Sequence, residues 1–496
     1  MRLMYRHINE KIFEFTYMKR FYAKIIFCSL LLVSCGRTIN PTKQLERIPD
    51  IFPDYAGVTI PYNIAPMNFQ LNKADSLDTQ LIISAGTTSF QIKGDKGDFE
   101  IPMKQWKKLM DQQKGKDVTF TVCYKDGKEW VSYQPFTMHV VADKIDPWLA
   151  YRLIPPGYGI WNAMGIYQRC LENFTEKAIM ENSLTEYNCM NCHTFQSGNP
   201  NKMAFHIRGR HGGSVLIENQ KISKIVPQMP EGLKGIAYPH WHPTHDYITF
   251  ASDQVAQSFY ANHYNRIEVY DTRSDVVVYD TKTGVAHTAP YMSDPGAWET
   301  FPAFSADGKT LYWSAADTVP SPYPIHYNDA HFSVFKTSFD PETCTFGEKK
   351  DTVLYASDNT SFAYPRESPD GRWMVYNQYD YGYFPINHQE GDMHIMDMKT
   401  GESRPMDEVN TEHAESYHTW SRNSRWLVYS SRRMDGLFVR AYFTYVDENG
   451  HCGKPFVMPQ RHPKHFYDNQ FNSYNIPEFI TGEVKVNAHK IAKTVW

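Results

Sequence analysis

The chain has 496 residues, 42% of them hydrophobic and 21% charged, which is typical of a folded protein with two or three domains. Its net charge of −4 argues against a nucleic-acid partner, because a surface that binds nucleic acid is basic. Aromatic residues make up 15% of the chain, alongside 28 Gly and 30 Pro, which favours short strands joined by turns and predicts a mainly β protein.

The N-terminus has the features of a bacterial export signal. Residues 18–35, MKRFYAKIIFCSLLLVSC, start with basic side chains, continue as an apolar run and end in small residues before a cysteine. The ending, Leu32-Val33-Ser34-Cys35, resembles the lipobox of bacterial lipoproteins. The resemblance implies that residues 1–34 are a signal peptide and that Cys35 is lipidated. A plain signal peptide with an incidental cysteine is the alternative.

Either interpretation takes the protein out of the cytoplasm, whether translation starts at Met1 or at Met18. Without residues 1–34 the chain keeps 45 basic and 53 acidic side chains, a net charge of about −8, which strengthens the argument against nucleic acid. The segment after the lipobox, CGRTINPTKQ, has no acidic residue, whereas surface lipoproteins of Bacteroidetes tend to carry acidic residues there. We therefore expect a lipid anchor on the periplasmic face of the outer membrane.

Residues 35–50 are expected to form a tether and residues 51–146 a β-sandwich of immunoglobulin-like type. The segment VTFTVCYKDGKEWVSYQPFTMHVV, at 118–141, contains two strand-like runs. They flank Asp126-Gly127, and Asp-Gly is a strong hairpin signal.

A connector at 147–188 is predicted to contain one helix, from Gly159 to Asn182, that leads into the next segment. Its apolar residues recur every three or four positions and would share one helical face. They are Ile160, Met164, Tyr167, Leu171, Phe174 and Ala178.

An internal repeat follows and determines the predicted architecture. The segments YPHWHPTHDYITF (238–250), FPAFSADGKTLYW (301–313), YPRESPDGRWMVY (364–376) and YHTWSRNSRWLVY (417–429) align without gaps. A strand-rich period of this size fits one four-stranded blade per repeat, because a single sheet cannot cover its own apolar face. SADGK and SPDGR resemble the turn of the PD40 repeat in TolB-type propellers. The resemblance implies a TolB-like β-propeller over residues 189–475.

A fifth, distorted copy begins at CHTFQSGNPNKMAFHI, where Met203 and Phe205 take strand positions. Five visible copies predict six blades, the sixth being assembled from the segment near Asn182 and the C-terminal stretch FNSYNIPEFITGEVKVN. Residues 476–496 are then a closing strand or a tail.

The spacing C-x-x-C-H at Cys189, Cys192 and His193 is the main chemical signal. Covalent haem attachment needs two thiols for the two vinyl groups and an adjacent imidazole as axial iron ligand. A redox dithiol, half of a zinc site and an inert cysteine pair are the alternatives. A dithiol would want a thioredoxin-like βαβ context and zinc a second ligand pair, and the sequence has neither.

The strings YRLIPPGYGIWNAMGIYQR, CMNCHTF, KMAFHIRGRHGG and YPHWHP together resemble a family of Bacteroidetes lipoproteins that carry a single haem motif on a TolB-like propeller. The resemblance spans most of residues 50–460. It implies the architecture and one haem c, and it implies no physiological role.

The iron ligand opposite His193 has several candidates. Met203 and His206 are three residues apart in a strand-like run, so they point to opposite faces and only one would serve. His211 is also near, and an open sixth position would permit peroxide chemistry. Core packing is the alternative role for Met203, and solvent exposure is that for His206.

Equivalent repeat positions are expected to form a ring at the channel or at one of its mouths. They are His240, Ala303, Arg366 and Thr419. Arg366 is the candidate anion-binding residue, with a surface salt bridge as the alternative. His240 and His242 lie two apart and would suit a metal or a haem-facing position, but His242 occupies the slot of a turn serine, which favours a turn role. The other cysteines, Cys123, Cys170, Cys344 and Cys452, could form disulfides whose pairing the sequence leaves open.

The leading hypothesis is an exported, lipid-anchored, mono-haem c-type protein of periplasmic electron transfer, whose propeller holds the haem and docks a redox or other envelope protein. A TolB-like binding or scaffold protein without catalysis and a haem peroxidase-like enzyme are the alternatives. The sequence offers no Ser-His-Asp set, phosphate-binding glycine loop or paired carboxylates, so no catalytic residue is assigned.

Overall fold

The computed structural model describes residues 38–156, 163–210, 212–225, 227, 229, 235–260, 267–319 and 327–495, without the side chain of residue 385. The chain is mainly β, as its composition predicts. The predicted signal peptide, the lipidation site Cys35 and the candidate ligand His211 lie outside the described residues.

The N-terminal region consists of ten strands and one helix. The strands are β1 Lys43–Gln44, β2 Ile51–Phe52, β3 Thr59–Pro61, β4 Phe69–Leu71, β5 Thr79–Ala85, β6 Thr88–Lys93, β7 Asp98–Phe99, β8 Lys116–Asp126, β9 Glu129–Ser132 and β10 Phe136–Val141, and helix α1 is Met103–Gln112. One sheet runs β1-β9-β8-β10-β3, with β5 paired to β8 and β6 to β5, and the other runs β2-β4-β7.

The two sheets share an aromatic core, in which Phe69 of the small sheet contacts Phe120 and Phe136 of the large one, with ring centroids 6.4 and 5.7 Å apart. The predicted hairpin is present, since Asp126 pairs with Glu129 across a two-residue loop. The immunoglobulin-like type of this region stays a prediction. Helix α1 was not expected. It buries Trp106, whose Nε1–H donates to the Ile64 carbonyl at 2.8 Å.

The remaining strands make six antiparallel sheets among the described residues. The first sheet contains β11 Trp148–Ile154, β12 Gly165–Cys170 and β13 Glu176–Glu181, and the second contains β14 Met190–Phe195, β15 Lys202–Ile207, β16 Gly213–Glu218 and β17 Lys221–Ile225. The third contains β18 Ala237–Trp241, β19 Tyr247–Phe259, β20 Ile267–Asp280 and β21 Ala286–His287, and the fourth contains β22 Ala297–Phe304, β23 Thr310–Asp317, β24 Ser333–Asp340, β25 Thr345–Phe346 and β26 Asp351–Leu354.

The last two sheets and the C-terminal elements complete the chain. The fifth sheet contains β27 Ser361–Glu367, β28 Trp373–Tyr379, β29 Asp392–Asp397 and β30 Ser403–Pro405, and the sixth contains β31 Glu415–Trp420, β32 Trp426–Ser431, β33 Arg440–Tyr445 and β34 Phe456–Val457. Helix α2 Pro463–Asn469, strand β35 Ser473–Ile480 and helix α3 Ala488–Val495 follow. Short 3-10 turns lie at Asn182–Thr185, Gln196–Gly198, Pro290–Met292, Tyr327–Asp329 and Pro385–Asn387.

The six sheets are arranged like the blades of a β-propeller. Strand β35 is the inner strand of the first sheet, because it pairs with β11, and β14, β18, β22, β27 and β31 are the inner strands of the others. Each of these inner strands contacts the next one, and β31 and β14 both contact β35. A strand from near the C-terminus therefore closes the ring on residues 148–154.

The repeated segments form a strand, a turn and a second strand, as the alignment predicts. In the turn after β27, the Ser368 hydroxyl accepts the Trp373 N–H at 3.0 Å and donates to Asp370 at 2.6 Å. Ser305 and Ser421 make the same two contacts in their own repeats. A hydroxyl at this position satisfies a backbone donor that the tight turn would otherwise leave unpaired, which is why the serine recurs.

The predicted helix from Gly159 to Asn182 is wrong. Its described part forms the hairpin β12–β13, with Asn173 accepting the Thr175 N–H in the connecting turn at 2.7 Å. Both faces of β12 are buried, so apolar residues occur on either face and imitate a helical period. The connector at 147–188 is therefore a sheet, and the element that leads into the cysteine motif is a 3-10 turn.

No helix among the described residues is long and apolar enough to cross a bilayer. The six cysteines in the described part of the chain are all unpaired.

Candidate functional site at the centre of the ring

Each inner strand carries a β-bulge at the same place. In β14, Asn191 pairs with His206 and Thr194 with Ala204, so two residues oppose one on the neighbouring strand. The first bulged residue of every inner strand has positive φ, between 48° and 59°. These residues are Cys192, Tyr238, Phe301, Tyr364, Tyr417 and Ile476. Since side chains other than glycine rarely adopt this conformation, its recurrence marks a constraint shared by all six inner strands.

The bulged residues meet in one buried cluster that fills the middle of the ring. Ring centroids of Tyr238 and Phe301 lie 4.1 Å apart, those of Phe301 and Tyr364 5.3 Å, and those of Tyr364 and Tyr417 5.5 Å. Cys192 belongs to the same cluster and is almost fully buried. Burial raises the pKa of its thiol, which Arg152 opposes only in part.

The motif cysteines differ in their surroundings. Cys189 precedes β14, and its partly buried side chain packs against the apolar cluster between the first and second sheets. The Cys189 carbonyl accepts the Arg208 N–H at 2.8 Å. The Arg208 guanidinium interacts electrostatically with both thiols and lies 3.8 Å from Asp253. Cys189 and Cys192 therefore share one neighbouring cation, although they pack in different clusters.

His193 is 2% exposed, and neither of its ring nitrogens meets hydrogen-bond geometry with a described residue, although the Ala150 backbone is close enough to oppose the fall in its pKa. Burial and, to a smaller extent, the Arg152 guanidinium lower the pKa of His193 to about 3. The imidazole is therefore neutral at pH 7. An imidazole with unpartnered nitrogens inside a protein costs desolvation free energy, and its nitrogens are chemically able to bind a ligand.

The residues two places after five of the six bulged positions line a small cavity beside His193. Its volume is about 60 Å³. Thr194, His240, Arg366, Thr419 and Glu478 line it, together with Cys192, His193 and other inner-strand residues. Three of the four ring positions named from the sequence thus lie around one cavity, and Ala303 is not among its lining residues.

Arg366 is 6% exposed, so a surface salt bridge does not describe it. Its guanidinium carbon stacks 3.8 Å from the Tyr364 ring centroid, and Nη1 donates to the Pro365 carbonyl at 2.8 Å. Across the cavity, Glu478 accepts the Phe195 N–H at 2.9 Å, and burial raises the pKa of that carboxyl to about 8. Burial and the nearby Arg366 lower the pKa of His240 well below its usual value.

The two candidate distal ligands lie elsewhere. Met203 is fully buried in the apolar cluster between the first two sheets. His206 lies on the opposite face of β15, where its Nδ1 is 3.2 Å from the Ser214 hydroxyl, and it lines a separate cavity of about 570 Å³. Neither residue lines the cavity that contains His193. His242 takes the turn role, because its Nδ1 accepts the N–H groups of Thr244 and His245.

Sequence reasoning missed Glu478 and Thr194. Both follow bulges whose strands, β35 and β14, lack the full repeat motif. Thr194 lies in the distorted fifth copy, where its ring position was not named, and Glu478 lies outside the aligned copies. The pair Ile476-Pro477 shares its proline with the aromatic-Pro pairs that begin three of the repeats. This proline could have marked β35 as a further copy of the inner strand.

A covalently held haem needs two free thiols and an adjacent neutral imidazole. The donor set fits, because the two motif thiols are unpaired and the neighbouring imidazole is neutral and makes no well-formed hydrogen bond among the described residues. Arg152 and Arg208 add positive charge beside the motif, which suits an anionic cofactor. The 60 Å³ cavity is small against the pockets of about 300 Å³ or more that hold drug-sized ligands. Binding a porphyrin here therefore requires the lining side chains to move apart.

No protein-family model and no curated protein matches the chain. Solved structures with a similar arrangement include an oligogalacturonate lyase from Vibrio parahaemolyticus, with 12% identity, a TM-score of 0.32, and coverage of 58% of this chain and 84% of the lyase. Prolyl oligopeptidase B from Galerina marginata has 10% identity, a TM-score of 0.36, and coverage of 80% of this chain and 55% of the peptidase. A DUF4784 family protein from Bacteroides caccae has 8% identity, a TM-score of 0.28, and coverage of 73% of this chain and 95% of that protein. At these TM-scores the likenesses carry no functional argument, and the architecture rests on the order of the sheets.

Proposed function

We propose that the protein is an exported, lipid-anchored, mono-haem c-type protein of periplasmic electron transfer, built on a six-bladed TolB-like propeller. The observation that carries the proposal is His193, a neutral buried imidazole whose ring nitrogens make no well-formed hydrogen bond among the described residues and that directly follows two unpaired thiols at C-x-x-C spacing. Cys189 and Cys192 would each add their S–H across one vinyl group, and His193 would ligate the iron. Haem iron supplies reversible one-electron transfer when bound.

The chain's own residues then have defined roles. The bulge at Cys192 turns its side chain into the central cluster, while His193 lines the adjoining cavity. The aromatic side chains around Cys192 exclude water, which favours the less charged form of a buried redox centre. Cys35 would anchor the mature chain to the periplasmic face of the outer membrane, where a redox or envelope protein could dock on the ring.

The proposal is tested by producing the full chain in cells that attach c-type haem and by extracting it from membranes. We expect an α-band typical of haem c in the reduced-minus-oxidised spectrum. We also expect an intact mass that contains one haem and a lipidated chain beginning at Cys35. The variant C189S/C192S should lose the covalent haem, whereas Cys344→Ser, at an unpaired cysteine in a different cluster, should retain it.

Three results would contradict part of the proposed function and favour an alternative. Absence of both the α-band and the haem mass would leave the TolB-like binding or scaffold role. Haem with a high-spin ferric spectrum that changes on adding peroxide would favour the peroxidase-like enzyme. Protease shaving of intact cells that degrades the chain would move the anchor to the outer surface.

A further inference from the structure

Arg366 marks a second site, because none of the ion pairs formed by the described residues includes its buried guanidinium. Nη1 donates to the neighbouring Pro365 carbonyl, and the guanidinium also interacts with the Tyr364 hydroxyl, which is not an anion at pH 7. The carboxyl group on the cavity wall, that of Glu478, lies beyond ion-pair distance of Arg366 and accepts the Phe195 N–H. Burial raises the pKa of Glu478 to about 8 despite the opposing effect of Arg366, so this carboxyl is mostly uncharged at pH 7 and does not neutralise the guanidinium. A buried guanidinium without a counter-ion is strongly unfavourable, so an anion is the expected complement.

The other groups around the cavity also suit an anion. His240 accepts the Phe304 N–H through Nδ1 at 3.2 Å, so the proton of its neutral ring is on Nε2, which is a hydrogen-bond donor. The unpartnered ring of His193 supplies a further N–H. The Thr194 hydroxyl lies on the same wall. These donors and one guanidinium converge on the cavity.

The size of the cavity limits the anion. At about 60 Å³ it is larger than the roughly 10–15 Å³ that one water needs and much smaller than the pockets of about 300 Å³ that hold drug-sized ligands, so it suits a small anionic group. A guanidinium presents a planar fork of N–H donors that matches a carboxylate. Stacking on Tyr364 fixes the plane of the Arg366 fork.

We propose that Arg366, with the donors of His240 and Thr194, forms a binding site for a single carboxylate group at the centre of the ring. Two sources share this chemistry, a small free carboxylate such as formate and a propionate of the haem placed there by the proposed function. Arg366, His240 and Thr194 are all part of the polypeptide, so the proposed carboxylate site is present in the haem-free chain as well.

The test is an equilibrium titration of the full chain with sodium [13C]formate, followed by NMR, with sodium chloride keeping the ionic strength constant because chloride carries no carboxylate group. The chain is prepared haem-free, from cells without haem attachment, and haem-loaded. We expect saturable one-to-one binding to the haem-free chain that Arg366→Gln weakens at least tenfold. Arg366→Lys, which keeps the charge, should weaken it less. The control Arg461→Gln, at a side chain that is 61% exposed, should leave it unchanged.

Haem-loaded chain that excludes formate would identify the bound carboxylate as a haem propionate, and haem-loaded chain that still binds it would identify a small free anion. Absence of saturable binding to the haem-free wild type, or equal binding by Arg366→Gln, would overturn the proposal. Since the haem-free titration needs no cofactor, failure of haem attachment would leave this result intact.

Discussion

Strand β14 and the four repeat strands β18, β22, β27 and β31 have the same backbone and different side chains at one position. All five carry the bulge with positive φ, and in β18, β22 and β27 it holds an aromatic residue followed by proline. In β14 the same two positions hold Cys192 and His193. The shared backbone shows that the fold requires the bulge, whereas the exchange of aromatic-Pro for Cys-His changes the chemistry and leaves the backbone as it is.

Strand β31 is intermediate between β14 and the aromatic-Pro strands, and it allows two buried histidines to be compared directly. It has an aromatic residue at the bulge, Tyr417, but a histidine after it, His418. Both His193 and His418 are buried and neutral, with the pKa of each lowered to about 3 by burial. They differ in one contact, since Nε2 of His418 donates to the Val375 carbonyl at 2.8 Å and His193 has no partner. The comparison separates a histidine that stabilises the fold from one available as a ligand.

The largest expected effect is on the central cluster. Tyr417→Ala removes a buried ring that contacts Tyr364 and should lower the free energy of unfolding of the haem-free chain by about 3–5 kcal/mol. Cys192→Ala at the equivalent position removes far less apolar volume and should lower it by about 1 kcal/mol. Urea denaturation followed by tryptophan fluorescence measures both. Equal losses would mean that Cys192 is as much a packing residue as Tyr417.

An acid titration tests the histidine that follows the bulge. The folded pKa of His418 lies below its unfolded value of 6.5, so the unfolded chain binds the proton first, and stability falls as the pH falls from about 6.5 towards 3. At about 1.4 kcal/mol per pH unit, His418 should remove about 3 kcal/mol between pH 6.5 and pH 4. His418→Asn should lack this contribution, so its stability difference from the wild type should shrink by that amount. A constant difference across this range would show that His418 does not titrate with folding.

The smallest expected effect is the difference in stability between alanine variants at two repeat turns. Gly308 and Gly371 both have positive φ, so alanine at either should cost about 1–2 kcal/mol from the left-handed backbone. A Cβ at Gly308 would also lie 2.2 Å from His242 Nε2, whereas at Gly371 the nearest atom is 3.5 Å away. Gly308→Ala should therefore be less stable than Gly371→Ala by about 1–2 kcal/mol, measured as the difference in urea midpoint. Identical midpoints would show that the His242 ring moves aside freely.

The repeats were predictable because their turns depend on local chemistry. Ser305, Ser368 and Ser421 hold their turns through side-chain contacts within a few residues, and such contacts leave a pattern in the sequence. The hairpin β12–β13 was not predictable from its period, since burial on both faces of β12 comes from neighbouring sheets.

The candidate site was predictable in its residue types and not in its placement. The C-x-x-C-H spacing named Cys189, Cys192 and His193 directly. Whether Met203 or His206 lies near His193 depends on which face of β15 meets which sheet, a relation between distant parts of the chain. Glu478 enters the cavity only because β35 returns from the far end of the sequence to pair with β11.

The pairing of β35 with β11 also determines when the ring can close relative to the emergence of the cysteine motif. On the proposed export the N-terminus would cross the membrane first, so the motif at 189–193 would emerge long before residues 473–480. Until those residues arrive, the first sheet lacks its inner strand and the ring stays open beside β14. During that interval the thiol of Cys192, which is buried in the closed ring, would be accessible to an enzyme that attaches haem. If the proposed function holds, attachment would have to precede ring closure, and the closed ring would then keep solvent from the thioether.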